Sequence, residues 1–366
     1  MEKSEKLYLD LHVIQTVPPS CVNRDDTGSP KTAIYGGVRR ARVSSQSWKH
    51  EMRRMFKEKF AEELGIRTKK VVEIVAKEIQ NLDASISNEN AMELAKKALK
   101  SIGISINKDG DTSALFFINK VQASRLAEFA MSNDVPKGNP KKADKERLVG
   151  KYKLNIDSSP DMLLFGRMVA GNIHLGIDAT AQVAHAISTH RVDNEYDYFT
   201  AVDDLQGEES SGAGMISVVE FNSSTLYRYA TVAVHNLYAG LGHNIEDTKE
   251  CLFAFVKTFM LSMPTGKQNT FANRTLPDGV IVTLRKDQPI NMVGAFECPI
   301  KAGNDGYVTK SIDALVDYAD DVYTTFASKP EKAWYVGKHE VNAAYEKVNL
   351  ADLLKEIGNT VEAELK

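Results

Sequence analysis

A short stretch near the N-terminus changes from the period of a β-strand to the period of an α-helix. Val38–Val43 has β-branched ends and alternates along its length, which predicts a strand with Arg40 and Arg42 on one face. Ser44 or Ser45 then provides a hydroxyl that can accept from the free N–H groups of a first helical turn. The apolar residues that follow recur at helical spacing: Trp48, Met52, Met55, Phe56 and Phe60. The stretch therefore predicts a strand that leads directly into an amphipathic helix.

Further strands and helices alternate along the chain. The predicted strands are Tyr8–Gln15, 161–170, 172–177, 225–237, 279–286, 290–300 and 334–338. The predicted helices lie within 66–130 and over Glu246–Met263, 311–326 and 347–364. Residues 16–37 and 132–147 are rich in polar residues, Pro and Gly, which predicts loops. Since no dinucleotide-binding glycine signature is present, this order predicts an α+β fold around a sheet of ferredoxin-like type.

Charge is distributed unevenly along the chain. The 366 residues carry a formal net charge of −3, which excludes a uniformly basic nucleic-acid binder. Residues 24–54 nevertheless hold eight Lys and Arg against three acids, and residues 137–153 hold seven against two. Residues 193–209 hold seven acids and neither Lys nor Arg. Such a chain can bind a polyanion with one face and its own copy with another.

Basic residues surround the predicted strand-to-helix junction: Arg39, Arg40, Arg42, Lys49, Arg53 and Arg54. Lys49 and Arg53 are four residues apart and so share one face of the helix. A helix N-terminus also presents free N–H groups and partial positive charge, which suits an anion. Two interpretations stay open, a binding site for a polyanion and a set of solvated surface charges. A mononucleotide cradle is disfavoured because no P-loop is present.

Cysteine usage and the N-terminal sequence bear on the compartment of the protein. Cys21, Cys251 and Cys298 are far apart and form no CxxC pair, which is typical of a reducing cytoplasm. The N-terminal residues are charged where a signal peptide needs an apolar core. No apolar run approaches the ~18 residues that a membrane helix requires. We therefore expect a soluble, cytoplasmic protein.

Residues that could support catalysis each have a plain structural alternative. His185 and His190 lack acidic partners at metal-ligand spacing and are interpreted as packed or hydrogen-bonded histidines. Asp25 and Asp26 are of the type that ligates Mg²⁺ or assists attack at a phosphodiester, yet adjacent acids in a polar loop also make turns. Cys21 would need a neighbouring histidine to act as a nucleophile. We predict no catalytic residue, no metal and no cofactor.

Binding of single-stranded nucleic acid requires a cationic track and apolar or aromatic faces for the bases. Outside the junction, the polar candidates for the track are Arg24, Lys31, Lys267 and Gln268. Candidate apolar wedges occur at 166–169, which contains Arg167 and Met168, and at Tyr198 and Phe199. The alternative for Met168 is core packing, and the alternative for the two aromatic residues is a small hairpin core.

The acidic segment 193–209 lies between strand-like flanks and has SSGAG just beyond it, which predicts an extended β-hairpin. An acidic arm would repel a phosphate chain. We therefore interpret it as an arm that docks on the basic surface of the next copy, a heterologous contact that propagates as a filament.

Four segments carry a resemblance to a known family. They are SCVNRDDTGSPKTAIYGGVRRARVSSQSWK, AHAISTHRVDNEYDYFTAVDDL, EFNSSTLYRYA and PTGKQNTFA. Together they resemble the type I-E CRISPR Cascade backbone subunit, the CasC family of the RAMP superfamily. The resemblance runs from residue 7 to near residue 300, continues more loosely to the end, and is weakest over 66–155.

The resemblance implies an α+β fold shaped like a right hand. Its palm is a modified ferredoxin-like (RRM-like) sheet, its fingers are a helical insertion, and its thumb is a long β-hairpin. The implied palm comprises residues 1–65, 156–190 and 224–366, the last of these with C-terminal helices. The fingers then comprise residues 66–155 and the thumb residues 191–223.

The resemblance also implies a non-catalytic RNA-binding scaffold. Copies in this family line up head to tail along the spacer of the guide RNA. Each thumb folds over the RNA toward the neighbouring copy and flips out one base at a regular interval. The bases between pair with target DNA, so base pairing and not the protein reads the sequence. The implied partners are the guide crRNA, target DNA through the guide, neighbouring copies of the chain, and the large, small, repeat endoribonuclease and 5′-handle-binding subunits of Cascade, with no membrane.

Individual positions match the family's RNA-binding motifs. Arg24, Lys31, Ser44, Gln46, Lys49 and Arg53 match residues that hold the RNA backbone. Met168 matches an apolar wedge, and Tyr198 and Phe199 match the aromatic pair of the thumb, whose first member is often Trp. The complete predicted RNA-binding set is Arg24, Lys31, Arg40, Arg42, Ser44, Gln46, Lys49, Arg53, Arg167, Met168, Tyr198, Phe199, Lys267 and Gln268. The basic segment of the fingers, with Lys137, Lys141, Lys142 and Lys145, is assigned to target DNA.

Two other functions remain open at this point. Related RAMP backbone subunits cut bound target RNA, so a metal-dependent endoribonuclease that uses Asp25 or Asp26 is the main alternative. The other is an interaction protein that only polymerises and uses its basic surface for self-contact.

Overall fold

The computed structural model describes residues 6–61, 63–136, 138, 140–156, 158–169, 171–201 and 215–366. Lys137, one of the predicted DNA contacts, lies outside the described residues. The strands are β1 Tyr8–Ser20, β2 Thr32–Tyr35, β3 Val38–Val43, β4 Ile66–Thr68, β5 Phe116–Ile118, β6 Ala181–Val183, β7 Ala186–Ser188, β8 Glu195–Ala201, β9 Met215–Ala233, β10 Gly279–Arg285, β11 Lys332–Gly337 and β12 Glu346–Lys347.

The α-helices of the described residues form a second set of elements. They are α1 Ser45–Phe60, α2 Val71–Leu82, α3 Asn88–Ser101, α4 Lys120–Met131, α5 Lys142–Lys151, α6 Pro160–Phe165, α7 Val234–Gly240, α8 Ile245–Leu261, α9 Gln268–Phe271, α10 Val308–Thr325 and α11 Leu350–Leu365. None of the described helices combines the length and the apolarity needed to cross a bilayer. The contacts along the chain separate two compact units. Unit 1 comprises Met1–Met55, Val183–His235 and Leu252–Lys366, and unit 2 comprises Phe56–Gln182 and Asn236–Cys251.

Unit 1 is built on a large mixed sheet. Its strand order is β12-β11-β10-β1-β9-β7-β3-β2, and β6 and β8 also pair with β9. The long central ladder pairs β1 with β9, from Tyr8 opposite Ala233 to Ser20 opposite Asn222. The described pairs are antiparallel except for β11 with β12, which is parallel. This α+β architecture agrees with the predicted fold class, whereas the ferredoxin-like topology and the palm, fingers and thumb boundaries stay predictions.

Side chains of β9 alternate between the two faces of this sheet. Tyr227 and Tyr229 belong to a buried cluster that includes Ile312 and Leu315 of α10. Arg228 lies on the opposite face, with its guanidinium 3.7 Å from the Trp48 ring centroid of α1 and 4.7 Å from that of Phe259 in α8. Helices therefore cover both faces of the central strands.

Arg228 is a charged residue inside the core of unit 1. It donates to Gln15 Oε1 and to the carbonyl oxygen of Phe259. Burial lowers the pKa of this guanidinium to about 9, because the low-dielectric surroundings disfavour its charged form. Neutral acceptors and aromatic faces thus take the place of a carboxylate partner.

Unit 2 is mainly helical. Its core joins α2, α3 and α4 through buried side chains that include Val75, Ile79, Leu99, Leu126 and Phe129. A short antiparallel ladder adds β4 to β5, with Ile66 opposite Ile118. The spacing of the apolar residues predicted these helices, since each presents one apolar stripe to the others.

Three predicted strands are wrong. Residues 161–170 contain α6, which begins with Pro160 in its first turn. Residues 172–177 and 290–300 contain 3-10 helices at Ile173–Leu175 and Met292–Phe296, each N-capped by an asparagine side chain. A short apolar run is compatible with both a strand and a helical turn. Here the asparagine caps and the proline favour the helical turn.

The predicted loops are shorter than expected. Residues 16–37 include the end of β1 and all of β2, and residues 132–147 include the start of α5. At that start, the N–H of Lys141 donates to Asp144 Oδ2 at 3.2 Å. The predicted helices over Glu246–Met263, 311–326 and 347–364 are confirmed as α8, α10 and α11. The predicted strand 225–237 ends earlier, at Ala233, where α7 follows.

Candidate nucleic-acid interface

The loop between β1 and β2 is fixed to the strand-to-helix junction of unit 1. Asn23 Oδ1 accepts from the N–H of Ser44 at 2.9 Å, and the carbonyl of Asn23 accepts from Lys31 at 2.8 Å. The carbonyl of Lys31 in turn accepts from Arg42 at 2.9 Å. These bonds hold Lys31, Arg42 and the start of α1 at one edge of the sheet.

The start of α1 is capped as the sequence predicts. Ser44 Oγ accepts from the N–H of Ser47 at 3.3 Å, so this hydroxyl serves the helix N-terminus. Ser44 is buried, whereas Gln46 in the first turn is exposed. Lys49 and Arg53 follow on α1, and both are half-buried.

The charges of three cations act on one histidine near this helix start. Arg42 Nη1 lies 3.0 Å from His185 Nδ1, and burial together with the charges of Arg42, Lys31 and Lys49 lowers the pKa of His185. Burial also lowers the pKa of Lys49. Lys31, Arg42 and Lys49 form no ion pair with any described residue. We name Lys31, Arg42, Lys49 and His185 the cationic cluster, which leaves its positive charge available to an anion.

Arg40 has a different environment from Arg42 although both belong to β3. Its side chain is 0% exposed, and its guanidinium donates to four carbonyl oxygens: Tyr35 at 3.1 Å, Ser188 at 3.1 Å, Phe296 at 2.7 Å and Glu297 at 3.4 Å. Gly36 packs so closely that a Cβ there would lie 1.7 Å from the oxygen of Glu297. Arg40 therefore fixes the β2–β3 hairpin, and this burial corrects its prediction as an RNA contact.

A second basic region lies where the chain after α8 meets the loop after β1. Gly266 packs against that loop, where a Cβ would lie 2.3 Å from the oxygen of Val22. Lys267 adopts φ 52°. Burial raises the pKa of the Cys21 thiol, and the charges of Arg24 and Lys267 partly offset this rise. Arg24 is exposed, while Lys267 and Gln268 are half-buried. The predicted residues Arg24, Lys267 and Gln268 thus lie on one side of unit 1.

A cleft of about 640 Å³ opens beside this region. Arg24, Asp26, His50 and Glu51 contribute to its lining. Both signs of charge are present, so this cleft is less suited to a polyanion than the cationic cluster.

Asp25 and Asp26 differ in what their carboxylates do. Asp25 Oδ1 accepts from Thr27 N at 2.9 Å, Thr27 Oγ1 at 2.7 Å and Ser29 N at 3.1 Å. The hydrogen bond from the Thr27 side chain is the main cause that lowers the pKa of Asp25. Asp25 thus holds a turn, whereas Asp26 is exposed at the cleft. Among the described residues, no group of three or more His, Cys, Asp or Glu is arranged to hold a metal.

Aromatic side chains project from β8, which pairs with β9 from Glu195 opposite Phe221 to Ala201 opposite Met215. Tyr198 is 64% exposed and Phe199 is 38% exposed. As neighbours on a strand they face opposite sides, which separates the predicted pair. Tyr196 shares the face of Tyr198 and is also exposed. Tyr196 is not among the predicted RNA contacts, although the alternation in EYDY places it on the same face as Tyr198. Residues 202–214 of the predicted thumb lie outside the described part of the chain.

Arg167 and Met168 of unit 2 have opposite environments. Arg167 is 5% exposed and Met168 is 93% exposed. Arg167 donates to the carbonyls of Leu175 at 2.9 Å and Phe117 at 2.9 Å and to Gln122 Oε1 at 2.7 Å. Burial lowers the pKa of this guanidinium to about 10. The burial corrects the prediction of Arg167 as an RNA contact, and the exposure of Met168 excludes the core-packing alternative within the chain.

The backbone around Met168 is tightly constrained. Gly166 adopts φ 76°, where a Cβ would lie 3.0 Å from the oxygen of Ile177. Arg167 and Ile177 form an isolated antiparallel bridge. These constraints fix the backbone on both sides of the exposed Met168. We call residues 166–169 and 171–177 the 166–177 loop.

The predicted DNA contacts of unit 2 lie at the start of α5. Lys141 precedes the helix, and Lys142 and Lys145 lie within its first turns. Lys141 and Lys142 are exposed and Lys145 is half-buried. Their assignment to target DNA stays a prediction.

Comparisons with known proteins agree over nearly the whole chain. The model of a family described as CT1975-like protein matches residues 9–362. A chain of a solved structure described as a CRISPR RNA-guided surveillance complex, pre-nicking, is 31% identical with a TM-score of 0.81, over 97% of this chain and 100% of that one. A chain of another CRISPR RNA-guided surveillance complex is 27% identical with a TM-score of 0.62, over 96% of this chain and 99% of that one. A search of curated proteins finds no match.

Proposed function

The chain belongs to the CT1975-like protein family, and on that premise we propose that it is a subunit of a CRISPR RNA-guided surveillance complex. More specifically, we propose a backbone subunit of the Cascade type, similar to the CasC family. In this role it holds the guide RNA and performs no catalysis.

The observation that carries this proposal is the cationic cluster. Lys31, Arg42 and Lys49 lie together, without an ion pair among the described residues, beside the N-terminus of a 16-residue helix. Phosphates of a nucleic acid supply the missing negative charge, and the helix N-terminus adds N–H donors. Contacts to phosphates give affinity and register without sequence preference. A protein that must hold guides of any sequence needs this kind of contact.

Exposed apolar side chains in each unit support the same proposal. Tyr196 and Tyr198 share one face of β8, and Met168 projects from the 166–177 loop. Aromatic faces stack on bases of any identity, and an unbranched apolar side chain can lie beside a base that has left the stack. These surfaces and the cationic cluster together match the needs of single-stranded RNA.

We propose that copies of the chain associate head to tail along the RNA. The acidic segment 193–209 includes Glu195 and Asp197 on β8, and both are exposed. An acidic arm on one copy complements a basic surface on the next, and a heterologous contact of this kind repeats along a filament. The association places successive cationic clusters along one guide strand.

The experiment is to purify the chain with its complex and to analyse the nucleic acid it carries. The proposal predicts RNA of a discrete length, removed by high salt, and regularly spaced subunits in electron micrographs. A complex without RNA at low ionic strength would contradict it.

The ribonuclease alternative is tested on the same material. The proposal predicts that complementary RNA stays intact in Mg²⁺. Regularly spaced cuts that disappear in Asp26→Asn would support an endoribonuclease, because Asp26 is the exposed carboxylate of the cleft.

A further inference from the structure

His185 lies at the end of the ladder between β3 and β7. In this antiparallel ladder Val43 is opposite Ala186, so continuing the register by one residue places His185 opposite Ser44, the N-cap of α1. His185 as a whole residue is exposed, so burial shields its ring only in part. This register places His185 near Ser44, at the edge of the sheet where Arg42 and Lys31 lie.

The hydrogen bond to Arg42 assigns the tautomer of His185. A guanidinium has donors and no acceptor. Because Arg42 Nη1 lies 3.0 Å from His185 Nδ1, Nδ1 must accept, and a neutral ring carries its proton on Nε2. The ring therefore offers an Nε2–H donor in addition to the ammonium and guanidinium groups of the cluster.

The charges that act on His185 come from three separate elements. Arg42 lies on β3, Lys31 lies on the loop before β2, and Lys49 lies on α1. All three are cations, and with burial they lower the pKa of His185 below its ordinary value. Burial and the positive field therefore disfavour the charged form of the ring while no anion is bound.

We propose that His185 is a fourth ligand of the RNA phosphate held by Lys31, Arg42 and Lys49, and that RNA binding is coupled to proton uptake at its ring. This inference rests on the proposed RNA-binding function. In the neutral form Nε2–H donates to a phosphate oxygen. The proton that is taken up binds at Nδ1, so it ends the hydrogen bond that Arg42 donates there and leaves Arg42 to donate to the phosphate, while the imidazolium adds positive charge to the Nε2–H hydrogen bond.

The direction of the coupling follows from the charges. A bound phosphate partly cancels the field of the three cations, which raises the pKa of His185 in the complex above that in the free protein. The complex then holds more protons than the free protein over the interval between these two pKa values. RNA affinity must therefore rise as the pH falls through that interval.

The test measures RNA affinity of the purified full chain by fluorescence anisotropy, with an RNA of about 30 nucleotides. From about pH 8 to about pH 6, we expect the Kd of the unaltered chain to fall threefold to tenfold, roughly as for one histidine that gains a proton on binding. His185→Gln keeps an amide donor near the position of Nε2 and does not titrate. It should bind within about twofold of the unaltered chain near pH 8 and show no such rise in affinity.

Two further variants complete the comparison. His185→Ala lacks both the donor and the charge and should bind more weakly at every pH. His339→Gln replaces a half-buried histidine whose Nε2 lies 2.9 Å from Asp313 Oδ1, outside the cluster, and should keep the pH dependence of the unaltered chain.

The outcomes separate this inference from the proposed function. If the unaltered chain binds no RNA at any pH, the proposed function fails and the inference fails with it. If RNA binds but His185→Gln keeps the full pH dependence, only the inference is overturned. A direct readout is NMR of ¹³C-labelled histidine: the pKa of His185 should rise when RNA is added, and an unchanged value would overturn the proton coupling.

Discussion

The β3–α1 junction of unit 1 and the 166–177 loop of unit 2 use a buried arginine in the same way and present opposite chemistry. At the junction Arg40 donates to four carbonyls, and its near neighbour Arg42 joins the cationic cluster. In the loop Arg167 donates to backbone and amide oxygens, and the adjacent Met168 is almost wholly exposed. One region presents positive charge to solvent and the other presents an apolar side chain.

The comparison distinguishes two roles of neighbouring residues: a buried arginine stabilises the fold, and an accessible side chain close to it is available for binding. A buried guanidinium has several donors in a fixed geometry, so it can join backbone segments that are distant in sequence. The buried guanidinium also fixes the backbone of nearby residues such as Arg42 and Met168. Their side chains are then free to contact groups outside the chain. Substitutions at Arg40 and Arg167 should therefore lower the free energy of unfolding. Substitutions in the cationic cluster and at Met168 should instead lower RNA affinity.

The largest expected effect is that of Arg167→Met on stability. The substitution leaves the buried oxygens of Leu175, Phe117 and Gln122 without their donor, which should lower the free energy of unfolding by about 3–5 kcal/mol. Urea denaturation followed by circular dichroism measures the loss. Arg147→Met, at an exposed arginine of α5, is the control and should cost less than about 0.5 kcal/mol. If both variants lost the same free energy of unfolding, the buried Arg167 would stabilise the fold no more than an exposed arginine does.

Arg40→Met tests the corresponding buried arginine of unit 1. We expect the free energy of unfolding to fall by about 2–4 kcal/mol, since four carbonyl acceptors around the β2–β3 hairpin lose a shared donor. Arg39→Met changes the exposed arginine that precedes it on β3 and should leave the urea midpoint nearly unchanged. A stable Arg40→Met protein with reduced RNA affinity would instead assign Arg40 to the interface.

Met168→Ser tests the exposed partner of the unit 2 anchor. Because the side chain is 93% exposed, the free energy of unfolding should change by less than about 0.5 kcal/mol. Affinity for RNA in the assembled complex should fall about tenfold through lost apolar burial. Leu82→Ser, at another exposed apolar residue of unit 2, should leave the affinity unaltered. A large loss of stability would show that Met168, like the buried arginines, stabilises the fold.

Lys49→Ala tests one phosphate contact of the junction and should have the smallest effect. We expect affinity to fall about fivefold, roughly 1 kcal/mol, with a salt slope smaller by about 0.7. Lys57→Ala, at an exposed lysine farther along α1, should behave like the unaltered chain. If both lysines contribute equally, the binding charge is diffuse and the cluster has no special role.

Local sequence patterns determined much of the fold. The apolar stripe from Trp48 to Phe60 and the Ser44 cap required only spacing and a hydroxyl, and both are present as predicted. The 3-10 helix at Met292–Phe296 was predicted as a strand because five apolar residues satisfy either period.

The burial of individual side chains required tertiary information. Arg39, Arg40 and Arg42 are alike in sequence, and only the carbonyls of Ser188 and Phe296, far along the chain, show which one is buried. The hydrogen bond of His185 to Arg42 likewise spans 143 positions. The sequence predicted a hydrogen-bonded histidine there but gave no means of finding its partner.

Binding to RNA phosphates through the cationic cluster is tested by comparing RNA affinity for two guides of unrelated sequence at one salt concentration. The protein is the unaltered chain and a variant that combines Lys31→Ala, Arg42→Ala and Lys49→Ala, both checked by urea denaturation. We expect the same large loss of affinity for both guides with little change in the urea midpoint. A loss confined to one guide, or a variant that binds both guides normally, would contradict it.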